Sequence, residues 1–166
     1  YGADLALYTV ASTGALLLTG LLWGRWWEAA AIIACFYINQ TNGGGFHADS
    51  HGKCFCTMWA GLCLCLLSFF VHLPRAAYAV CMAASLAALL AVPLVLHKNK
   101  AYLENRRAAL ARKSRAIVLI EAACAAAILL FGPWALWHAA ACGLLASAAS
   151  RLVAFILAKR TGNARG

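Results

Sequence analysis

The sequence predicts an all-α integral membrane protein of about six hydrophobic helices, some of them short, in a compact bundle around a cytoplasm-facing cavity. Of its 166 residues, 64% are hydrophobic and 11% are charged, whereas a soluble domain is about half apolar and a quarter charged. The apolar residues form runs of up to ~20, the length that crosses a ~30 Å hydrocarbon core as a helix. No repeat or low-complexity tract divides the chain, so 1–166 is predicted to be one transmembrane domain.

The predicted segments are 5–24, 26–41, 55–73, 76–96, 116–131 and 134–158. The first contains no charged residue and is followed by Trp26 and Trp27, which are typical of a membrane interface. The second is short for a complete crossing, so we expect it to be buried inside the bundle. The third begins just after Cys54 and stays apolar as far as Pro74.

Charge placement predicts the orientation of the remaining segments. Pro74 and Arg75 reverse the chain into the fourth segment, and a basic loop, 97–115, follows it with seven Lys or Arg residues and one Glu. The last two segments form a hairpin around Gly132 and Pro133. Because loops rich in Lys and Arg stay in the cytoplasm, the basic loop, the C-terminus and the polar stretch 42–54 are all predicted to be cytoplasmic.

The polar stretch 42–54 contains the best candidates for chemistry. His47 and Cys54 lie seven positions apart, and a Cys with a His as general base is the minimum for nucleophilic acyl transfer. Cys54 also begins a helix beside Lys53, an environment that favours the thiolate. On one straight helix the two side chains would be ~10 Å apart, so the chain must fold back between them.

Neighbouring residues could complete such a site. Asp49 could orient an imidazole, and His51 is an alternative base. The glycines that precede His47, among them Gly44 and Gly45, allow close approach of a substrate or could present N–H groups to an oxyanion.

Two other functions remain open at this point. Cys54, Cys56, His47 and His51 could serve a small metal-handling transporter or sensor, although their spacing matches no familiar zinc pattern and we assign no metal. Alternatively, the stretch has no chemistry and the protein is a non-catalytic membrane subunit.

The apolar segments carry further expectations. Six cysteines of the apolar runs should pack as small hydrophobes: Cys35, Cys63, Cys65, Cys81, Cys124 and Cys142. Cys54 and Cys56 differ because they lie at the start of a helix, and Cys54 should be the more exposed of the two. Glu121 and Arg151 should form a structural ion pair, since an unpaired charge at bilayer depth is costly. The small residues of 139–150 suit close helix packing and a possible homodimer.

The run Gly44-Gly45-Phe46-His47-Ala48 followed by Cys54, between membrane helices of a small basic protein, resembles the AgrB family of bacterial membrane peptidases. In that family the His and Cys of this motif are the catalytic pair, and they match His47 and Cys54. The resemblance implies a cysteine endopeptidase that removes the C-terminal tail of an AgrD-like propeptide through an acyl-thioester. It also implies that a thiolactone ring then forms, which gives an autoinducing peptide for quorum sensing.

The resemblance also implies partners and a location. Expected are the propeptide and membrane lipids, with no cofactor and no nucleic acid, and a multi-pass protein of the bacterial cytoplasmic membrane with its active site on the cytoplasmic side. Where family members often carry Arg and Ala, this chain has Gln40 and Gly43. The basic loop could attract an acidic propeptide tail or anionic head groups, or its charge could merely set topology. Expected substrate-binding residues are Gly44, Gly45, Gln40, Lys98, Lys100, Arg106 and Arg107.

Overall fold

The computed structural model of the protein describes residues 2–46, 48, 50–94 and 106–160, with side chains described from Leu7 onward. Within these ranges the chain forms six α-helices and no strand, which confirms the all-helical prediction. The helices are α1 (Gly2–Leu22), α2 (Trp26–Gly43), α3 (His51–Ser68), α4 (Arg75–Ala91), α5 (Arg107–Phe131) and α6 (Trp134–Arg160).

Two of the described helices, α5 and α6, are long and apolar enough to span a membrane. Leu7–Leu22 and Arg75–Ala91 are shorter apolar helices. Many large apolar side chains point outward, among them Leu22, which is 78% exposed, and Phe131, which is 87% exposed. An apolar exterior of this extent is typical of a surface that contacts lipid or another protein.

The helices run alternately up and down. We call the end with residues 44–50 and the C-terminus of α6 the site end, and the end with the 132–133 turn the far end. Contacts within each end define this arrangement: the Tyr8 hydroxyl of α1 meets the start of α3, and Ser68 at the end of α3 meets His138 near the start of α6.

Close packing in the centre joins α2 and α6. A Cβ atom added to Gly143 would lie 2.9 Å from Cys35 Cβ, so the two backbones approach as only a glycine permits. Ala141, Ser147 and Ala148 are buried as well. Several small residues of 139–150 therefore pack within one chain, and the possible homodimer stays a prediction.

Two helix ends differ from the prediction. α4 ends at Ala91 rather than 96, because Pro93 disfavours a helical conformation at Val92. α5 begins at Arg107 rather than 116, so the second half of the predicted basic loop is helical. Its run of Ala, Leu, Arg and Lys residues has high helix propensity, which outweighs the unfavourable effect of cations at a helix N-terminus.

A polar network ties three helices together at the far end. The Tyr78 hydroxyl accepts hydrogen bonds from Trp134 Nε1 at 3.1 Å and from the Leu73 amide at 3.3 Å. With both lone pairs taken, its own proton goes to His138 Nδ1 at 3.0 Å. His138 Nε2 then carries the ring proton and donates it to Ser68 Oγ at 2.7 Å. This imidazole has no lone pair left to activate Ser68, so the network is structural.

Candidate active site

Cys54 lies in the first turn of α3, the helix that begins at His51. Ser50 caps this helix by accepting a hydrogen bond from the Lys53 amide at 3.3 Å, and the Cys54 amide donates to the Ser50 carbonyl at 3.0 Å. Cys54 therefore lies at a helix N-terminus, as the sequence predicted.

The expected order of exposure of the two neighbouring cysteines was wrong. Cys54 is half-buried and Cys56 is exposed. Two residues along a helix turn the side chain by about 200°, so the two thiols face nearly opposite directions. Cys54 is on the side of α3 that faces α1, and Cys56 is on the outer side.

Tyr8 of α1 partly covers Cys54. Its hydroxyl donates to the His51 carbonyl at 2.8 Å and is close enough to the Cys54 thiol to interact with it. The Tyr8 ring also packs on the His51 ring, with centroids 4.6 Å apart. Sequence reasoning missed Tyr8, because its only local signal is a hydroxyl in an aliphatic segment.

The three glycines before Phe46 each have a different structural reason. Gly44 has a φ of 67°, which favours glycine. A Cβ atom at Gly43 would overlap the guanidinium of Arg151. A Cβ atom at Gly45 would overlap the side-chain amide oxygen of Gln40. Two of the three glycines thus serve packing inside the protein.

Phe46 is held by hydrogen bonds on both sides of its backbone. Its amide donates to the Ser150 carbonyl at 3.1 Å and to Ser150 Oγ at 3.0 Å. Its carbonyl accepts from Gln40 Nε2 at 2.7 Å. The loop 44–46, which leads to His47, is therefore attached to α6 and α2. The Gln40 amide, expected at a substrate-binding position, is engaged inside the protein.

Several predicted site residues lie outside the described residues. These are His47, Asp49, Lys98 and Lys100, so the approach of His47 to Cys54 stays a prediction. Of the other basic candidates, Arg106 is exposed just before α5, and Arg107 Nη2 donates to the Leu94 carbonyl at 3.4 Å. Both are at the site end.

The expected ion pair between Glu121 and Arg151 differs in the structure. Glu121 accepts from Asn39 Nδ2 at 2.8 Å, while Arg151 donates to the Leu89 carbonyl at 2.6 Å and to Ser114 Oγ at 3.1 Å. Ser114 is two turns before Glu121 on α5, about 10 Å along the helix, so the two charges attract each other without direct contact. The expectation of a direct ion pair did not take into account which neighbouring helix each side chain faces.

The structure has a cavity of about 220 Å³ between α2, α5 and α6. Its lining is apolar apart from Glu121 and the thiols of Cys35 and Cys124. Cys54 does not line it, so this is not the catalytic cavity that we expected. Among the described residues, no three His, Cys, Asp or Glu side chains converge as metal ligands.

Comparison with known proteins gives one match. A model of the family described as accessory gene regulator B matches residues 1–157. The match includes the glycine loop, Cys54 and the part of α6 that holds Phe46. No curated protein and no solved structure matches the chain.

Proposed function

Because this chain belongs to the accessory gene regulator B family, we propose that it is a membrane-embedded cysteine endopeptidase that cuts the C-terminal tail from a propeptide. The family is membrane-bound and acts on AgrD-type propeptides in the processing of autoinducing peptides. The observation that carries the proposal is Cys54, half-buried in the first turn of α3 and directly after the loop that leads to His47.

The proposed first step is acyl transfer to Cys54. His47 takes the thiol proton, the sulfur attacks the scissile carbonyl, and the peptide C–N bond breaks as His47 returns the proton to the leaving amine. Asp49 is the proposed orienter of His47, and backbone N–H groups near Gly44 and Gly45 are the proposed donors to the oxyanion. The product is a thioester between Cys54 and the shortened propeptide.

The second step is ring closure. A thiol of the propeptide attacks the thioester carbonyl and His47 accepts its proton. Cys54 leaves as a thiolate and takes this proton from His47, which restores the starting thiol. The energy of the cleaved peptide bond is kept in the thioester, so ring closure needs no ATP provided that water is excluded. Tyr8, which partly covers Cys54, supports such exclusion.

The basic residues of the site end support a charged substrate. Arg106 and Arg107 begin α5 there, and Lys159 and Arg160 end α6. We propose that these cations, with Lys98 and Lys100, attract an acidic propeptide tail or anionic head groups and keep the site end in the cytoplasm. The protein is then a multi-pass protein of the bacterial cytoplasmic membrane.

The test compares two cysteines that are two residues apart. Wild type, Cys54→Ala and Cys56→Ala are purified in lipid nanodiscs and incubated with an AgrD-type propeptide, and the intact enzyme is analysed by mass spectrometry. We expect a hydroxylamine-sensitive adduct on wild type and on Cys56→Ala, and none on Cys54→Ala. Cleavage should fall by at least about a thousandfold in Cys54→Ala only, as for loss of a nucleophile.

Either of two results would contradict the proposal. Cleavage by Cys54→Ala at the wild-type rate would exclude Cys54 as the nucleophile. Equal losses in both variants, relieved by added metal, would favour the metal-handling alternative, in which Cys54 and Cys56 act together.

A further inference from the structure

Ser150, Gln40 and Phe46 form a closed ring of hydrogen bonds. The Phe46 amide donates to Ser150 Oγ at 3.0 Å, Ser150 Oγ donates to Gln40 Oε1 at 3.1 Å, and Gln40 Nε2 donates to the Phe46 carbonyl at 2.7 Å. Each of the three residues donates one hydrogen bond to the next residue of the ring and accepts one from the previous residue. The ring therefore assigns the hydroxyl proton of Ser150 and the orientation of the Gln40 amide.

The ring holds the residue immediately before His47. The N–H of Phe46 belongs to the peptide plane before this residue and the C=O belongs to the plane after it. Because both groups are bonded, the backbone on either side of Phe46 has little freedom to rotate. The anchor, Ser150, is in the most extensively buried helix of the described chain, α6. The loop 44–46 is thus held in place by the core of the bundle rather than by contacts within the loop itself.

The surrounding packing leaves no room for the ring to slide. Gly45 is buried, and a Cβ atom there would lie 2.8 Å from Ser150 Oγ. On the other side, Gly43 packs against Arg151, which is 3% exposed and is itself held by the Leu89 carbonyl. Ser150 and Arg151 thus fasten both ends of the glycine segment 43–45.

We propose that Ser150 is a positioning residue, which acts through Gln40 and the Phe46 backbone to fix the loop that leads to the proposed base, His47. This inference rests on the proposed function, because it requires His47 to be the general base. A base that is displaced by about 1 Å can lose up to about a hundredfold in rate although the protein stays folded. The ring therefore contributes to the rate of acylation more than to substrate binding.

The test separates positioning from folding. Single-turnover acylation of Cys54 by the same AgrD-type propeptide is measured in nanodiscs for wild type, Ser150→Ala, Ser150→Thr and Ser147→Ala. Ser147 is the matched control, since its hydroxyl is one turn away on α6 and donates to the Gly143 carbonyl at 2.8 Å. We expect Ser150→Ala to lower the maximal acylation rate by roughly tenfold with the half-saturating propeptide concentration within about twofold. Ser150→Thr, which keeps the hydroxyl, should restore the rate, and Ser147→Ala should match wild type.

A second measurement needs no variant. In the unliganded wild-type enzyme, the Phe46 amide should exchange its hydrogen as slowly as helical amides of α6, because it is bonded to Ser150. Fast exchange would overturn the inference, and so would a wild-type acylation rate in Ser150→Ala. A rate loss explained entirely by a smaller fraction of active enzyme, counted by alkylation of Cys54, would also overturn it.

Cys54→Ala is measured in parallel to separate the two proposals. If Cys54→Ala is acylated elsewhere and cleaves normally, the proposed function fails. If Cys54→Ala is inactive and Ser150→Ala is normal, only the role of Ser150 fails.

Discussion

Gly45 and Gly52 are two glycines of the same sequence stretch that should respond oppositely to a methyl group. Gly45→Ala would push against Gln40 and Ser150 and should cost about 1–3 kcal/mol of stability, as overpacking does. Gly52, a helical residue of α3 with open space around its Cα, should gain about 0.5–1 kcal/mol as Ala, because glycine is a poor helix former. Unfolding by SDS titration in lipid micelles measures both changes.

The same pair tests the role of the ring in catalysis. Gly45→Ala should also slow acylation of Cys54, whereas Gly52→Ala should acylate at the wild-type rate. Equal stability and equal acylation in the two variants would show that the ring and the packing around it do not matter.

At the scale of single residues, spacing could predict which side chains are reactive but not what surrounds them. The sequence indicated Cys54 and the importance of the glycines. It could not predict the neighbours of these residues, because Gln40 meets Ser150 across 110 positions and Tyr8 meets His51 across 43. Such contacts follow from the packing of whole helices and leave no periodic signal.

At the scale of helices, propensity and proline decided where the elements end. The apolar run that continues to Leu96 suggested a longer α4, but Pro93 ends the helix at Ala91. The charges of 107–115 suggested a loop, but these residues form the first turns of α5. Hydrophobicity locates the centre of a helix, whereas local backbone chemistry determines its ends.

Arg151 joins three helices through one buried side chain. It connects α6 to the end of α4 through the Leu89 carbonyl and to α5 through Ser114, and its Nε has no partner among the described atoms. Arg151→Ala would leave the Leu89 carbonyl and the charge of Glu121 without this cation. We expect a loss of about 3 kcal/mol, as when one member of a buried charged set is removed.

Lys159→Ala is the matched control for Arg151→Ala. Lys159 is a cation of the same helix, two turns further on, and is exposed, so its replacement should change stability by less than about 0.5 kcal/mol. SDS titration of both variants measures the difference. Similar small losses would mean that α4, α5 and α6 hold together without the guanidinium.

At the scale of the whole molecule, the all-helical structure and the apolar exterior were predictable from the length and composition of the apolar runs. A chain that is 64% hydrophobic cannot bury all its apolar surface, and the structure leaves side chains such as Val80 and Leu119 more than half exposed. The position of the cavity was not predictable, since it depends on mismatches between helix faces. It lies beside Glu121, away from Cys54.

The charge asymmetry of the bundle predicts which end faces the cytoplasm. Among the residues that the structure describes, Arg25 and Arg75 are the only Lys or Arg residues at the far end, so the site end should stay inside. A membrane-impermeant sulfonated maleimide should label Cys56, which is exposed, in inside-out vesicles only. A Leu73→Cys variant, exposed between α3 and α4, should be labelled in right-side-out vesicles only. Cys124 is exposed in the apolar part of α5 and is the internal control: lipid should shield it in both vesicle types, and its rapid labelling would contradict a membrane-spanning α5.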